Sequence, residues 1–165
     1  MNSALLAPTM ILLGALITDV RTHKIPNKWI LISIVIALFS SYYFYSFEGL
    51  KQGALASGLA IILTLPFVMV GALGAGDLKL LFVFGLATTY QTVFSVVMLS
   101  FLWGALLGVA WAIRDKKFKK LISNTVKIIS VKPHDKTELL KIPYTIAIFF
   151  AWMTYLLIGF KEGAY

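Results

Sequence analysis

The sequence predicts an all-α protein: a polytopic membrane helix bundle of about six transmembrane helices, N-out and C-out, with a basic cytoplasmic loop between helices 5 and 6. Three observations carry that class. Of the 165 residues, 59% are apolar and only 13% charged, against roughly 45–50% and 25% in soluble domains. Surface of that kind has to face lipid. The apolar residues also fall into six separate runs, and thirteen of the fifteen lysines and arginines collect in alternate gaps between them or, as Lys79 does, at the edge of one.

The runs cover residues 4–18, 29–47, 54–73, 78–89, 92–113 and 142–160, parted by short polar or Gly/Pro-bearing breaks. The first resembles a secretory signal, but Met1-Asn2-Ser3 carries no basic residue and the positive charges follow the apolar stretch. It is therefore expected to stay as a span. Pro26-Asn27 bends the chain into the second run, and the third contains Pro66 and ends in a glycine-bearing segment. The fourth, at 1.5 Å per residue, covers only about 18 Å of a roughly 30 Å hydrocarbon core. No linker, repeat or low-complexity tract marks a second domain, so residues 1–165 are read as one membrane-embedded unit.

Lysine and arginine orient the bundle, because short loops rich in them stay in the cytoplasm. An external N-terminus puts Arg21, Lys24, Lys28, Lys79 and nine residues from Arg114 to Lys141 inside, leaving Lys51 and Lys161 outside. In the large inner loop, Phe118, Leu121, Ile122, Thr125 and Ile129 follow helical spacing, with lysines around the rest of the wheel. This reads as an amphipathic helix on the inner leaflet, or more simply as a basic loop that fixes topology and touches anionic lipid. Nucleic acid is not the expected partner, since the charge lies beside the membrane without interleaved aromatics to stack bases.

The chain has no cysteine. Disulfides, thiol chemistry and Cys-ligated zinc are thus excluded, and His23 and His134 show no metal-ligand spacing, so neither a metal nor a cofactor is expected. Catalysis is left to carboxylates, hydroxyls, the two histidines or lysines, and among these the placing of the acids is the most informative. Five of the seven sit in loops: Glu48, Asp115, Asp135, Glu138 and Glu162. Asp19 and Asp77 instead border apolar runs, both at the predicted cytoplasmic ends of their spans, where an isolated carboxylate marks a functional candidate. Each also has a plain structural reading. Asp77, in Gly74-Ala75-Gly76-Asp77-Leu78-Lys79, suits a helix cap after terminating glycines. Asp19 suits a juxtamembrane turn, paired with Arg21 or Lys24.

If the helices bring the two acids together, they form a familiar unit. Two close carboxylates do not both ionise easily, so one keeps a proton while the other draws a proton from a shared water. Such a pair can hydrolyse a peptide bond. Gly74 and Gly76 would let a substrate backbone approach, and Lys79 either anchors substrate or, by preference, snorkels to the interface.

Gly-x-Gly-Asp with Lys79 two residues on, Asp19-x-Arg21, Ile25-Pro26-Asn27 and a last span opening with Ile142-Pro143-Tyr144 together resemble the peptidase domain of bacterial type IV prepilin peptidases. The resemblance spans nearly the whole chain. It implies a membrane-embedded GxGD-type aspartic endopeptidase of the cytoplasmic (inner) membrane, with Asp19 and Asp77 as its dyad. The implied partner is a prepilin or pseudopilin, whose basic leader is removed at the cytoplasmic face. Gly74, Gly76, Lys79, Arg21, Pro26 and Asn27 then become active-site support or substrate contacts. Larger family members carry Cys-x-x-Cys motifs and a methyltransferase region. The cysteine-free chain is similar instead to the small peptidases of tight-adherence (Flp-type) pilus systems, so no methylation is expected. An archaeal preflagellin peptidase is a related alternative. From a different class, a small proton- or cation-coupled carrier could use the same two carboxylates.

Overall fold

The computed structural model describes residues 3–22, 24–114 and 144–161. All regular structure among them is helical. A 3₁₀ turn, Ser3–Leu5, leads into α1, Leu6–Thr22; then come α2, Asn27–Met69, α3, Ala75–Leu86, α4, Tyr90–Arg114, and α5, Tyr144–Lys161. Three of these, α2, α4 over Tyr90–Trp111, and α5, are long and apolar enough to cross a membrane. The 17 residues of α1 and 12 of α3 extend only about 25 and 18 Å.

Among the described residues five α-helices stand where six runs were expected, because the second and third runs belong to one element. The polar segment at 48–53, expected to be a break, is helical. The backbone turns earlier, at Ser46, with φ 53° and ψ −145°. That conformation is costly for a residue with a Cβ, and Ser46 is the only non-glycine with positive φ among the described residues.

The corner reverses the chain. Ser41 donates a 2.6 Å hydrogen bond to the Leu86 carbonyl, and a Cβ on Gly53 would lie 2.6 Å from that same oxygen. Twelve residues of straight helix would hold those two positions about 18 Å apart. Residues 27–45 and 47–69 are therefore two arms that flank α3. The first runs parallel to it, from Asn27 beside Lys79 to Ser41 beside Leu86. The second runs back, with Gly53 at Leu86 and Ser57 bonded to the Phe82 carbonyl at 2.9 Å.

So enclosed, α3 forms the centre: Leu80, Leu81, Val83 and Phe84 are fully buried, against Ile11, Leu12 and Ala15 of α1, Ala56 and Ala60 of α2, Val93, Val96 and Val97 of α4, and Ile148 and Trp152 of α5. Large apolar side chains also cover the outside, among them Phe39, 70% exposed, and Met69, 79% exposed. A surface of this kind is stable against acyl chains, not water. The amphipathic helix expected over residues 118–129, the basic loop around it, and both histidines lie outside the described residues.

Candidate active site

Helical register brings the two predicted acids to one end of the bundle. Ile11, Leu12, Ala15 and Asp19 are all buried, and spacings of three, four and seven or eight residues put them on one face of α1. On α3, Asp77 and Phe84 are seven residues apart; on α5, so are Thr145 and Trp152. Two helical turns align each pair along its own helix. The helices run side by side in matching register, since the Phe84 and Trp152 rings meet edge to face at 5.2 Å and Thr145 reaches Asp77 two turns earlier. α1 runs antiparallel to α5, with Trp152 donating to Thr9 at 2.9 Å. Its C-terminal end thus arrives where α5 begins.

Thr145 is the meeting point. Fully buried, its hydroxyl donates to Asp19 Oδ2 at 2.6 Å and lies 3.3 Å from Asp77 Oδ1. Those two carboxylate oxygens cannot be farther apart than the two lengths laid end to end. Asp19 is 7% exposed, while Asp77 is half-buried and lies against the exposed Gly74.

This arrangement corrects the plain structural reading of Asp19 and narrows that of Asp77. Among the described residues the only ion pair is Lys51–Glu48, so Asp19 is paired with neither Arg21 nor Lys24; both are exposed. Asp77 is not itself the N-cap residue, although its carboxyl group lies back against the Gly74 backbone at the start of α3. Gly74 is the N-cap of α3, and Asp77 is its third residue, with its own N–H bonded to the Gly74 carbonyl at 3.1 Å.

The supporting residues divide. Gly74 lies against the acid, since a Cβ added to it would stand 2.9 Å from Asp77 Oδ2. Gly76 packs on Ile25. Lys79 does not extend alone toward the interface: its Nζ donates to Asn27 Oδ1 at 3.0 Å, fastening α3 to the start of α2. Pro26 is exposed and serves α2 directly, its carbonyl accepting from the backbone of Trp29 and Ile30. Arg21 stands apart from the carboxylates.

Thr145 escaped the sequence reading. Its neighbour Tyr144, exchanging a 2.8 Å hydrogen bond with Ser100, fixes the start of α5 on α4. Among the described residues, no third His, Cys, Asp or Glu joins the two acids into a group that could hold a metal ion. A cavity of about 420 Å³ opens at the opposite end of the bundle, lined by Ser41, Gln52, Thr92 and Trp152 among others, and is separate from the carboxylates.

Residues 5–109, which include both aspartates, match the model of the type IV leader peptidase family. Comparison with curated proteins gives no match, and neither does comparison with solved structures.

Proposed function

The chain belongs to the type IV leader peptidase family, a family of peptidases, and on that premise we propose that it is a membrane-embedded aspartic endopeptidase that removes the basic leader from prepilins or pseudopilins. One observation carries this reading: Asp19 and Asp77, 58 positions apart in the chain, converge on a single buried hydroxyl at one end of an apolar bundle.

Two carboxyl groups held this close suit an activated-water mechanism. One, as carboxylate, takes a proton from water as the oxygen attacks the scissile carbonyl. The other, carrying a proton, supports the developing oxyanion and then protonates the leaving amine. Asp19 and Asp77 are the catalytic pair. Gly74, against Asp77 and without a side chain, leaves room for an extended substrate backbone.

The orientation follows the basic residues. Arg21, Lys24, Lys28, Lys79 and Arg114 gather at the end of the bundle that holds the carboxylates, while Lys51 and Lys161 lie at the other. The site then faces the cytoplasm of an inner-membrane protein, N-out and C-out. On this reading both arms of α2 cross and, among the described residues, α1, α4 and α5 cross with them, while the 12-residue α3 reaches only part of the way between the two arms. A basic leader gains nothing electrostatically from the basic segment at 114–141. Recognition instead uses lateral access of the substrate's apolar helix among the spans, with Asn27 and Gly76 at the rim.

The test is leader removal from a prepilin co-reconstituted with the protein in liposomes, read by mass spectrometry. Cleavage by the wild type should fall about 10³-fold or more in Asp19→Asn and in Asp77→Asn. Undiminished cleavage in either variant overturns the dyad. Proton or cation flux without cleavage replaces the peptidase by a carrier.

A further inference from the structure

We propose that Thr145 is a positioning residue that makes the two carboxyls unequal, holding Asp19 as the base and Asp77 as the acid. The inference deepens the peptidase reading and rests on it. A hydroxyl has one proton to give and lone pairs to receive with. Thr145 Oγ1 stands within hydrogen-bond distance of two acids at once, 2.6 Å from Asp19 and 3.3 Å from Asp77. One proton does not serve both fully.

The shorter separation is that of a hydroxyl donating to a carboxylate. It commits the proton to Asp19 and leaves a lone pair of the same oxygen facing Asp77. The longer contact, which the committed proton no longer serves, is left to take its proton from Asp77. Asp77–OH, Thr145–OH and the Asp19 carboxylate then form a directed chain, with every polar atom of the hydroxyl used. Burial makes this direction matter: Thr145 is 0% exposed, so no water replaces either partner without cost.

The fold holds the hydroxyl firmly. Tyr144 is bonded to Ser100 on α4, and Trp152, two turns along α5, is bonded to Thr9 on α1 and stacked edge to face on Phe84 of α3. The three helices that carry the chain's members are thus fixed to one another by contacts outside it.

Asp77 also has the better position for an acid that must meet substrate. It is half-buried and lies against the exposed Gly74, whereas Asp19 is enclosed. The reaction itself exchanges the roles: after water gives its proton to Asp19 and Asp77 gives its own to the leaving amine, one proton passes from Asp19 to Asp77. Thr145 can carry it by accepting from one side while donating to the other.

Two substitutions separate hydroxyl from shape. Thr145→Val keeps the volume and removes the hydroxyl; Thr145→Ser keeps the hydroxyl and removes a methyl group. With the same prepilin in liposomes, valine should lower kcat about 10²-fold with KM within about twofold, and serine should recover kcat to within about fivefold of wild type. Equal losses in both variants, a loss confined to KM, or a rise in kcat in the valine variant would each overturn the assignment. A second readout needs no substrate. Infrared difference spectra should show a protonated-carboxyl band that Asp77→Asn removes, Asp19→Asn retains and Thr145→Val shifts. Removal of that band by Asp19→Asn alone assigns the proton to the wrong residue. If the wild type cleaves no prepilin yet the infrared pattern holds, the peptidase reading fails and the directed chain stands. If Asp19→Asn and Asp77→Asn abolish cleavage while Thr145→Val matches wild type, the reverse is true.

Discussion

Trp152 and Lys79 each send a nitrogen to a partner far away in the chain, and the surroundings decide how much each bond is worth. Trp152 is fully buried and donates to Thr9 at 2.9 Å; Lys79 is exposed and donates to Asn27 at 3.0 Å. Water can replace Asn27, but nothing polar replaces Thr9. Thr9→Val should therefore cost about 1–3 kcal/mol and Asn27→Ala less than about 1 kcal/mol, measured as unfolding in detergent. An equal cost for the two would mean that burial does not govern these bonds. The same contrast explains what was legible at the site. Asp19 and Asp77 were found because an acid beside an apolar run is conspicuous. Thr145 was not, because a hydroxyl in an apolar helix usually bonds its own preceding turn, as Thr18 does to the Gly14 carbonyl and Thr64 to Ala60. Nothing local separates those threonines from one that reaches across to another helix. Only the register of α1, α3 and α5 does.

Helices meet at different distances, and glycine marks where they meet closest. A Cβ on Gly85 of α3 would lie 2.7 Å from the Ser57 backbone nitrogen and 2.8 Å from its Cα, whereas one on Gly58, a residue further along α2, would meet nothing within 4 Å. Backbone does not move aside as a side-chain tip does. Gly85→Ala should therefore destabilise the bundle by about 1–3 kcal/mol and lower the monodisperse yield in detergent. Gly58→Ala should be neutral or stabilise by up to about 1 kcal/mol through helix propensity. A comparable loss at Gly58 would refute close packing as the cause. The reversal in α2 was the least legible element. Its corner falls at Ser46, inside the aromatic stretch Tyr42-Tyr43-Phe44-Tyr45-Ser46-Phe47, where no glycine or proline announces a turn. Glu48, Gly49, Lys51, Gln52 and Gly53 advertise a loop, yet they are helical. Packing explains the shift: Gly49 and Gly53 let the returning arm lie against Ser41 and Leu86, so these residues turn away from loop duty and the strain is stored one turn earlier.

At the scale of the whole molecule, the net charge of +8 and the lack of cysteine combine into one experiment on topology. The basic residues predict which end of the bundle faces the cytoplasm. The α2 reversal predicts which positions share that end: Lys28 opens the first arm, Lys51 lies just past the corner, and Ala72 follows the second arm. Because no native thiol exists, single substitutions Lys28→Cys, Lys51→Cys and Ala72→Cys give labelling without background. In intact cells a membrane-impermeant maleimide should reach Lys51→Cys alone; after permeabilisation it should reach all three. Labelling of Lys28→Cys and Ala72→Cys from outside, with Lys51→Cys protected, would invert the bundle and turn the carboxylates away from the cytoplasm. Labelling of all three from one face would remove the two crossings assigned to α2. Either result bears directly on the chemistry, because Asp77 lies five residues beyond Ala72, at the same end, and a leader held in the cytoplasm can be cut only there.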